Sequence, residues 1–176
     1  MNILTCWVPG KTEILPQVDQ ALRLHSTPDC NWRRVELDPD DPHAYGRVIQ
    51  EFWRAAEDDL LILEPDIEVG PSTIYDMRAC QYGYCSATYP WLTDVGPALG
   101  CTRFRRQFMV DFPTVVDEVV ALNLGFRQFD VALQRLVLVR KFRRQPHIHA
   151  SVVHHNSEKA LMSTANPEPL RELPGY

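Results

Sequence analysis

Three carboxylates stand at alternate positions in Glu64-Pro65-Asp66-Ile67-Glu68, immediately after the unbroken aliphatic run Leu60 to Leu63. On an extended backbone, residues two apart point to one side, so Glu64, Asp66 and Glu68 are expected to share a face. Ionised carboxylates that close repel one another. The arrangement becomes favourable when a hard divalent cation sits among the oxygens, and Mg2+ or Mn2+ carrying a phosphate ligand suits such a donor set. A solvated turn at a sheet edge has the same composition. What decides between the two is the element that precedes the triplet.

Two other stretches carry chemistry. From Cys80 to Trp91 the chain is short of aliphatics and dense in aromatics. Such rings stack on sugars and nucleobases, so an acceptor surface is expected at Tyr89 and Trp91, with Leu99 to Phe104, Arg103 included, beside it. The same tyrosines would equally anchor a packed loop to the core. Cys80 and Cys85 admit a zinc site only if two of the late histidines join them. Arg103, Arg105 and Arg106, with Arg140, Lys141, Arg143 and Arg144, form two basic clusters able to draw a polyanion such as nucleic acid. The second cluster also suits the negative end of a helix dipole.

The elements that must position these groups alternate in type. Ile3 to Val8 is a β-leaning apolar run stopped by Pro9-Gly10; Ile14, Val18, Ala21 and Leu22 then recur at helical spacing. Trp32 to Leu37 reads as a second strand. Asp41 as N-cap and Pro42 as first helical residue open a helix with Tyr45, Val48, Ile49 and Phe52 on one stripe, ending near Glu57 to Asp59. Leu60 to Leu63 has the composition of a strand covered on both faces. Strand, helix, strand, helix, strand predicts an α/β unit with right-handed crossovers, whose ligands bind beyond the carboxyl ends of the strands. That rule points to Pro9 to Thr12, Asp38 to Asp41 and Glu64 to Glu68. Further on, Pro71-Ser72 starts a helix, Thr114 and Asp117 open another ending near Gly125, and a last one begins close to Phe129-Asp130. Residues 157–176 lack apolar periodicity after Met162 and read as an extended or disordered tail.

With 176 residues, 45% hydrophobic and 23% charged, the chain has the composition of one globular domain, which excludes disordered and fibrous classes. Its longest apolar runs are four residues, against roughly 20 for a bilayer span, so no membrane partner is expected. Pro9, Gly10, Lys11 and Glu13 interrupt any signal-peptide core. Five cysteines at irregular spacing suit a reduced, cytoplasmic setting. The net charge of −5 is unevenly shared: residues 1–98 hold 7 basic against 16 acidic side chains, and residues 99–176 hold 11 against 7. Opposite halves of that kind are expected to meet different ligands, although opposed surfaces also serve solubility alone.

At Glu64-Pro65-Asp66 the sequence resembles the nucleotide-sugar glycosyltransferases of the GT-A fold, whose central strand ends in an Asp-x-Asp or Glu-x-Asp motif. The resemblance implies a Rossmann-like mixed, mainly parallel sheet flanked by helices, in one domain over residues 1–156. Residues 1–70 would form the donor-binding half and residues 71–156 the acceptor-binding half. It implies Mn2+ or Mg2+ as cofactor, held by Asp66, with Glu64 as a metal or ribose contact, and bridging the diphosphate of a nucleoside diphosphate sugar, with a UDP-sugar as first choice. Pro9 and Asp38 join Glu64 and Asp66 as donor contacts. Members of that fold supply a late histidine to the metal, and here His154 stands where the strand should end, with His149 and His155 as substitutes. Strand alternation puts His147, His149 and His155 on one parity and His154 on the other. If configuration is inverted, Asp130 is the expected catalytic base, although a carboxylate near a helix start is also stabilised by the dipole; Asp94 and Asp111 are the other candidates. The chain is short for such an enzyme, so a minimal acceptor subdomain, a homodimer or a large acceptor must complete the site. Compact enzymes of this sort decorate hypermodified bases in phage DNA, which makes a hydroxymethylated base the expected acceptor.

A rival reading comes from Gly10-Lys11-Thr12, which follows a strand and completes a P-loop pattern except for its first glycine. An NTPase or phosphotransferase would follow, with Glu64 or Asp66 as its second acid. Trp7, Val8 and Pro9 in the loop argue against it, since proline has no N–H to give a phosphate. A non-catalytic metal-binding or interaction module is the third reading.

Overall fold

The computed structural model describes residues 1–87, 99–133, 147–149 and 152–155, with the side chains of Phe126, Arg127, Ile148 and His154 left outside that description. Its elements are β1 (Asn2–Trp7), α1 (Pro16–His25), β2 (Asn31–Glu36), α2 (Ala44–Ala55), β3 (Leu60–Leu63), β4 (Ile67–Glu68), α3 (Thr73–Ala79), β5 (Tyr84–Ala87), β6 (Cys101–Phe104), α4 (Arg106–Asp111), α5 (Val115–Ala121), α6 (Phe126–Val131), β7 (His147–His149) and β8 (Val153–His154).

Six strands form one mixed sheet in the order β2-β1-β3-β6-β5-β7. β1 lies parallel to both β2 and β3, β5 is parallel to β7, and β6 runs antiparallel between β3 and β5. Three of the five pairings are thus parallel, as the alternation of strands and helices requires. A second sheet pairs β4 with β8 antiparallel, Ile67 opposite His154 and Glu68 opposite Val153.

The pleat divides the core. Leu4, Cys6, Leu60, Ile62, Tyr84 and Phe104 face one layer, with Ile49 and Trp53 of α2, Phe108 of α4, Val116 of α5 and Phe129 of α6. Ile3, Leu61, Leu63, Cys85 and Cys101 face the other, with Val18 and Leu22 of α1 and Ile74 and Met77 of α3. Covered on both sides, β3 is buried at all four positions, which is why it consists of leucine and isoleucine throughout. Gly46 of α2 lets α6 approach closely: a Cβ there would meet the Phe129 ring at 3.0 Å.

Several boundaries differ from the sequence expectation. α2 begins at Ala44, after a turn in which the His43 N–H donates to Asp41 Oδ1 at 3.0 Å, so Asp41 orders the turn before the helix. α6 starts at Phe126 with Gly125 as N-cap, which puts Asp130 in its last turn, not its first. α4 follows β6 directly and was not expected. Its opening amide, Arg106 N–H, is satisfied by Asp59 Oδ1 at 2.8 Å, a partner 47 residues away that no local pattern announces. Among the described residues no helix is long and apolar enough to cross a membrane.

Candidate functional site

Because β1, β2 and β3 are parallel, Trp7, Glu36 and Leu63 end on one edge, and the loops beyond them meet there. Backbone bonds stitch these loops together. Leu37 N–H donates to Trp7 O at 2.8 Å, Leu15 N–H to Pro65 O at 3.0 Å, and Glu64 N–H to Gly100 O at 2.7 Å. Lys11 Nζ reaches Pro39 O at 2.9 Å, closing the first loop on the second. Pro9 and Asp38, both exposed, thus lie on the same edge as the half-buried Glu64 and Asp66. Asp38 orders its own loop by accepting the Asp40 N–H at 2.9 Å.

The acidic triplet does not run extended. Pro65 and Asp66 are the centre of a turn closed by Ile67 N–H on Glu64 O at 3.2 Å, so the alternation that would align all three carboxylates is broken after Glu64. β4 resumes the strand at Ile67, and β8 returns antiparallel to it. His155 N–H donates to Asp66 O at 3.0 Å, and its Nε2 lies 2.8 Å from Glu68 Oε2. The late histidines therefore come back to the motif through the backbone of the small sheet. Glu68 faces His155, which leaves Glu64 and Asp66 as the two carboxylates of the turn. Two carboxylates beside that turn are hard oxygen donors, a set that fits Mg2+ or Mn2+. His154 is opposite Ile67, one position from Asp66.

Asp130 reaches this edge from α6. It is almost fully buried, and its Oδ1 accepts the Leu99 N–H at 2.9 Å, next to the Gly100 carbonyl that holds Glu64. Burial pushes its carboxyl up to about 7, opposed by that amide. Tyr45 of α2 is buried between the acids: burial first, then the charges of Asp130 and Glu64, hold its phenol well above the usual range. Periodicity placed Tyr45 on a core stripe, and nothing in its spacing marked it as a neighbour of the motif.

Two expectations change here. Arg103 is fully buried in β6. Its guanidinium donates to Asp59 Oδ2 at 2.8 Å, Cys80 O at 2.7 Å and Tyr82 O at 3.3 Å, so the side chain has no surface to offer an acceptor. The loop at Gly10 does not cradle a phosphate as a P-loop does. Lys11 and Thr12 N–H both donate to Val8 O, Val8 N–H donates to Thr12 Oγ1, and α1 starts only at Pro16. Those amides are spent on the turn, in which Gly10 takes φ +71°. Apart from that edge, the described residues hold a metal-capable trio, Cys80, His147 and His149, whose ligand atoms lie within 4.8 Å of one another. Burial, then the charges of His147 and Arg103, push the His149 imidazole down. Tyr89, Trp91, Asp94, the basic cluster at 140–144 and the tail at 157–176 lie outside the described residues.

No family model and no curated relative matches the chain. Solved structures of similar fold exist. One is a glycosyltransferase involved in glycosylation of the major capsid of PBCV-1, with TM-score 0.59 and 15% identity, covering 93% of this chain and 97% of that one. A second, described as a nucleotide-diphospho-sugar transferase, comes from Desulfovibrio desulfuricans G20, with TM-score 0.52 and 15% identity over 98% of this chain and 90% of that one. The glycosyltransferase GlyE of Streptococcus pneumoniae TIGR4 matches with TM-score 0.52 and 12% identity over 98% of this chain, which spans about half of it, 52%. At these identities the likeness establishes the fold, a GT-A-like mixed α/β sheet flanked by helices.

Proposed function

We infer that the protein transfers a glycosyl group from a nucleoside diphosphate sugar, a UDP-sugar as first choice, to an acceptor hydroxyl. The observation that carries this reading is the convergence of Pro9, Asp38, Glu64 and Asp66 beyond three parallel strands, with β8 bringing the late histidines back to Asp66. In open α/β sheets that edge is where ligands bind.

The parts divide as follows. The loops after β1 and β2 hold the nucleoside, Pro9 and Asp38 among them. Glu64 and Asp66, with His154 as the third ligand, would hold Mn2+ or Mg2+, which when bound offsets charge on the departing diphosphate. In an inverting transfer Asp130 takes the proton from the acceptor hydroxyl, whose oxygen bonds to the anomeric carbon as the bond from that carbon to the diphosphate breaks and the nucleoside diphosphate leaves. A carboxyl that titrates near pH 7 is suited to that role because a large share of it is ionised at neutral pH while it stays basic enough to accept a proton. Tyr45, held protonated, keeps a neutral wall beside the two acids.

A hydroxymethylated base in DNA is the proposed acceptor, on the strength of the basic second half of the chain. From the cluster that Arg103 has left, Arg106 is exposed towards a phosphate backbone, while Arg105 is partly exposed and donates to Gln81 O at 3.1 Å.

Calorimetric titration with nucleoside diphosphates and UDP-sugars, with and without Mn2+, tests the donor site. Binding should require Mn2+ and weaken at least about tenfold in Asp66→Ala, the scale of losing one charge-assisted contact. Metal-independent binding that is unchanged in Asp66→Ala would overturn the assignment. Transfer of labelled sugar to duplex DNA containing hydroxymethylated bases, compared with unmodified duplex and with protein acceptors, tests the second substrate.

A further inference from the structure

The group formed by Cys80, His147 and His149 lies outside the acidic edge and has no part in the transfer described above. Three elements build it. Cys80 caps the end of α3, donating its N–H to Asp76 O at 3.0 Å. His147 and His149 are alternate residues of β7, so their side chains share a face. β7 pairs parallel with β5, His147 beside Cys85 and His149 beside Ala87, and both of those β5 residues belong to the core layer under α3. The histidines are thus delivered to the side of the sheet where Cys80 waits.

One edge of the group already has the length that a bound ion sets, and all its ligand atoms lie within 4.8 Å of one another. Zinc takes sulfur at about 2.3 Å and nitrogen at about 2.0 to 2.1 Å, which sets tetrahedral ligand-to-ligand edges of about 3.3 to 3.6 Å. Cys80 Sγ is 3.4 Å from His147 Nδ1. The two imidazoles stand edge to face with centroids 4.9 Å apart. Tyr82 stacks on His147 at 4.5 Å with the planes 4° apart, fixing its orientation from the solvent side. His149 Nε2 is buried with no hydrogen-bond partner among the described residues, an expensive state for an imidazole nitrogen unless something binds there. One thiolate and two imidazoles form a borderline-soft donor set, unlike the carboxylates of Glu64 and Asp66.

We propose that Cys80, His147 and His149 form a transition-metal site, with zinc as its ion, that fastens the edge strand β7 to the end of α3. The fourth position is taken by water. The site is separate in ligands and in metal class from the one that serves the sugar donor. Its role is structural: the chain after β7 continues to β8 and the turn at Asp66, so the ion anchors the segment that completes the acidic edge.

The test is elemental analysis of the purified full-length protein, wild type and variants. One zinc per chain is expected in the wild type and in Asp66→Ala, and loss of zinc in Cys80→Ser, His147→Gln and His149→Gln. Cobalt-substituted wild type should show a thiolate-to-cobalt charge-transfer band that Cys80→Ser removes. Folded wild-type protein without zinc and without that band overturns the proposal, leaving a hydrogen-bonded Cys–His pair. Retention of zinc in the histidine variants overturns it as well. If Cys80→Ser fails to fold by circular dichroism, the wild-type cobalt spectrum and the His147→Gln zinc content still decide.

Discussion

Asp130 is the residue whose environment predicts most. Its folded-state carboxyl sits at about 7, against an ordinary value near 4, because it is removed from water. Below the ordinary value the group is neutral in both the folded and the unfolded chain and costs nothing. As pH rises towards 7 the unfolded chain gives up this proton while the folded one keeps it, so stability falls across that window and levels off above it. Asn at this position cannot ionise. Urea midpoints measured from pH 4 to 8 should therefore fall less steeply in Asp130→Asn than in the wild type. If the same carboxyl is the base, kcat/KM rises through about pH 7 to a plateau, and Asp130→Asn loses about 100-fold or more together with that rise. A residue that merely supports Leu99 would lose activity without changing the shape of the profile. Asp59 offers a second case. One of its oxygens pairs with buried Arg103 and the other satisfies the first amide of α4. Asp59→Ala leaves a buried guanidinium short of a partner, and about 3 kcal/mol of stability should be lost, read as a lower urea midpoint.

Between elements, the tightest tolerance is where β5 meets α4. A Cβ on Gly83 would fall 2.7 Å from Phe108 Cδ2. The Phe108 ring cannot step aside freely, since it packs against Trp53, Tyr84, Phe104 and Phe112. Gly83→Ala should cost about 1 to 3 kcal/mol through that displacement, measurable by thermal or urea unfolding. The sequence foretells elements unevenly for a reason visible here. β1 through β3, with α1 and α2, were legible because each carries its own period and its own stop, Pro9-Gly10 or the Asp38 to Pro42 run. α4 was not, because its six residues hold less than two turns of pattern and its N-terminal amide is satisfied from Asp59. The reversal of β6 was invisible too, since strand direction depends on pairing and leaves no mark in Cys101 to Phe104. At the acidic edge, the place of Glu64 and Asp66 just beyond β3 was readable from the aliphatic run before them. The burial of Arg103 was not: an arginine in a four-residue run reads as a surface charge until Asp59 and the carbonyls of Cys80 and Tyr82 are seen around it.

Across the whole molecule, the motif and its closure lie far apart in the chain: Glu68 and His155 are 87 residues apart and meet at 2.8 Å. That contact is partly exposed and adds little to stability on its own, within about 1 kcal/mol. Its value is positional, because β8 holds the turn at Asp66 from outside. His155→Pro removes the N–H that Asp66 O accepts, so donor affinity should fall about tenfold while the urea midpoint stays nearly constant. Calorimetry and unfolding on the same preparation separate the two effects, and parallel losses in both would show that the small sheet is part of the core. The same closure has a consequence during synthesis. A ribosome releases the chain from its N-terminus at about 5 to 20 residues per second, so β1 to β3 and the carboxylates after them emerge many seconds before β8. Until residue 155 has cleared the exit tunnel, the nascent protein carries its acidic turn without the strand that braces it. If that turn holds the donor, donor binding is expected to follow the emergence of β8, not that of the carboxylates themselves.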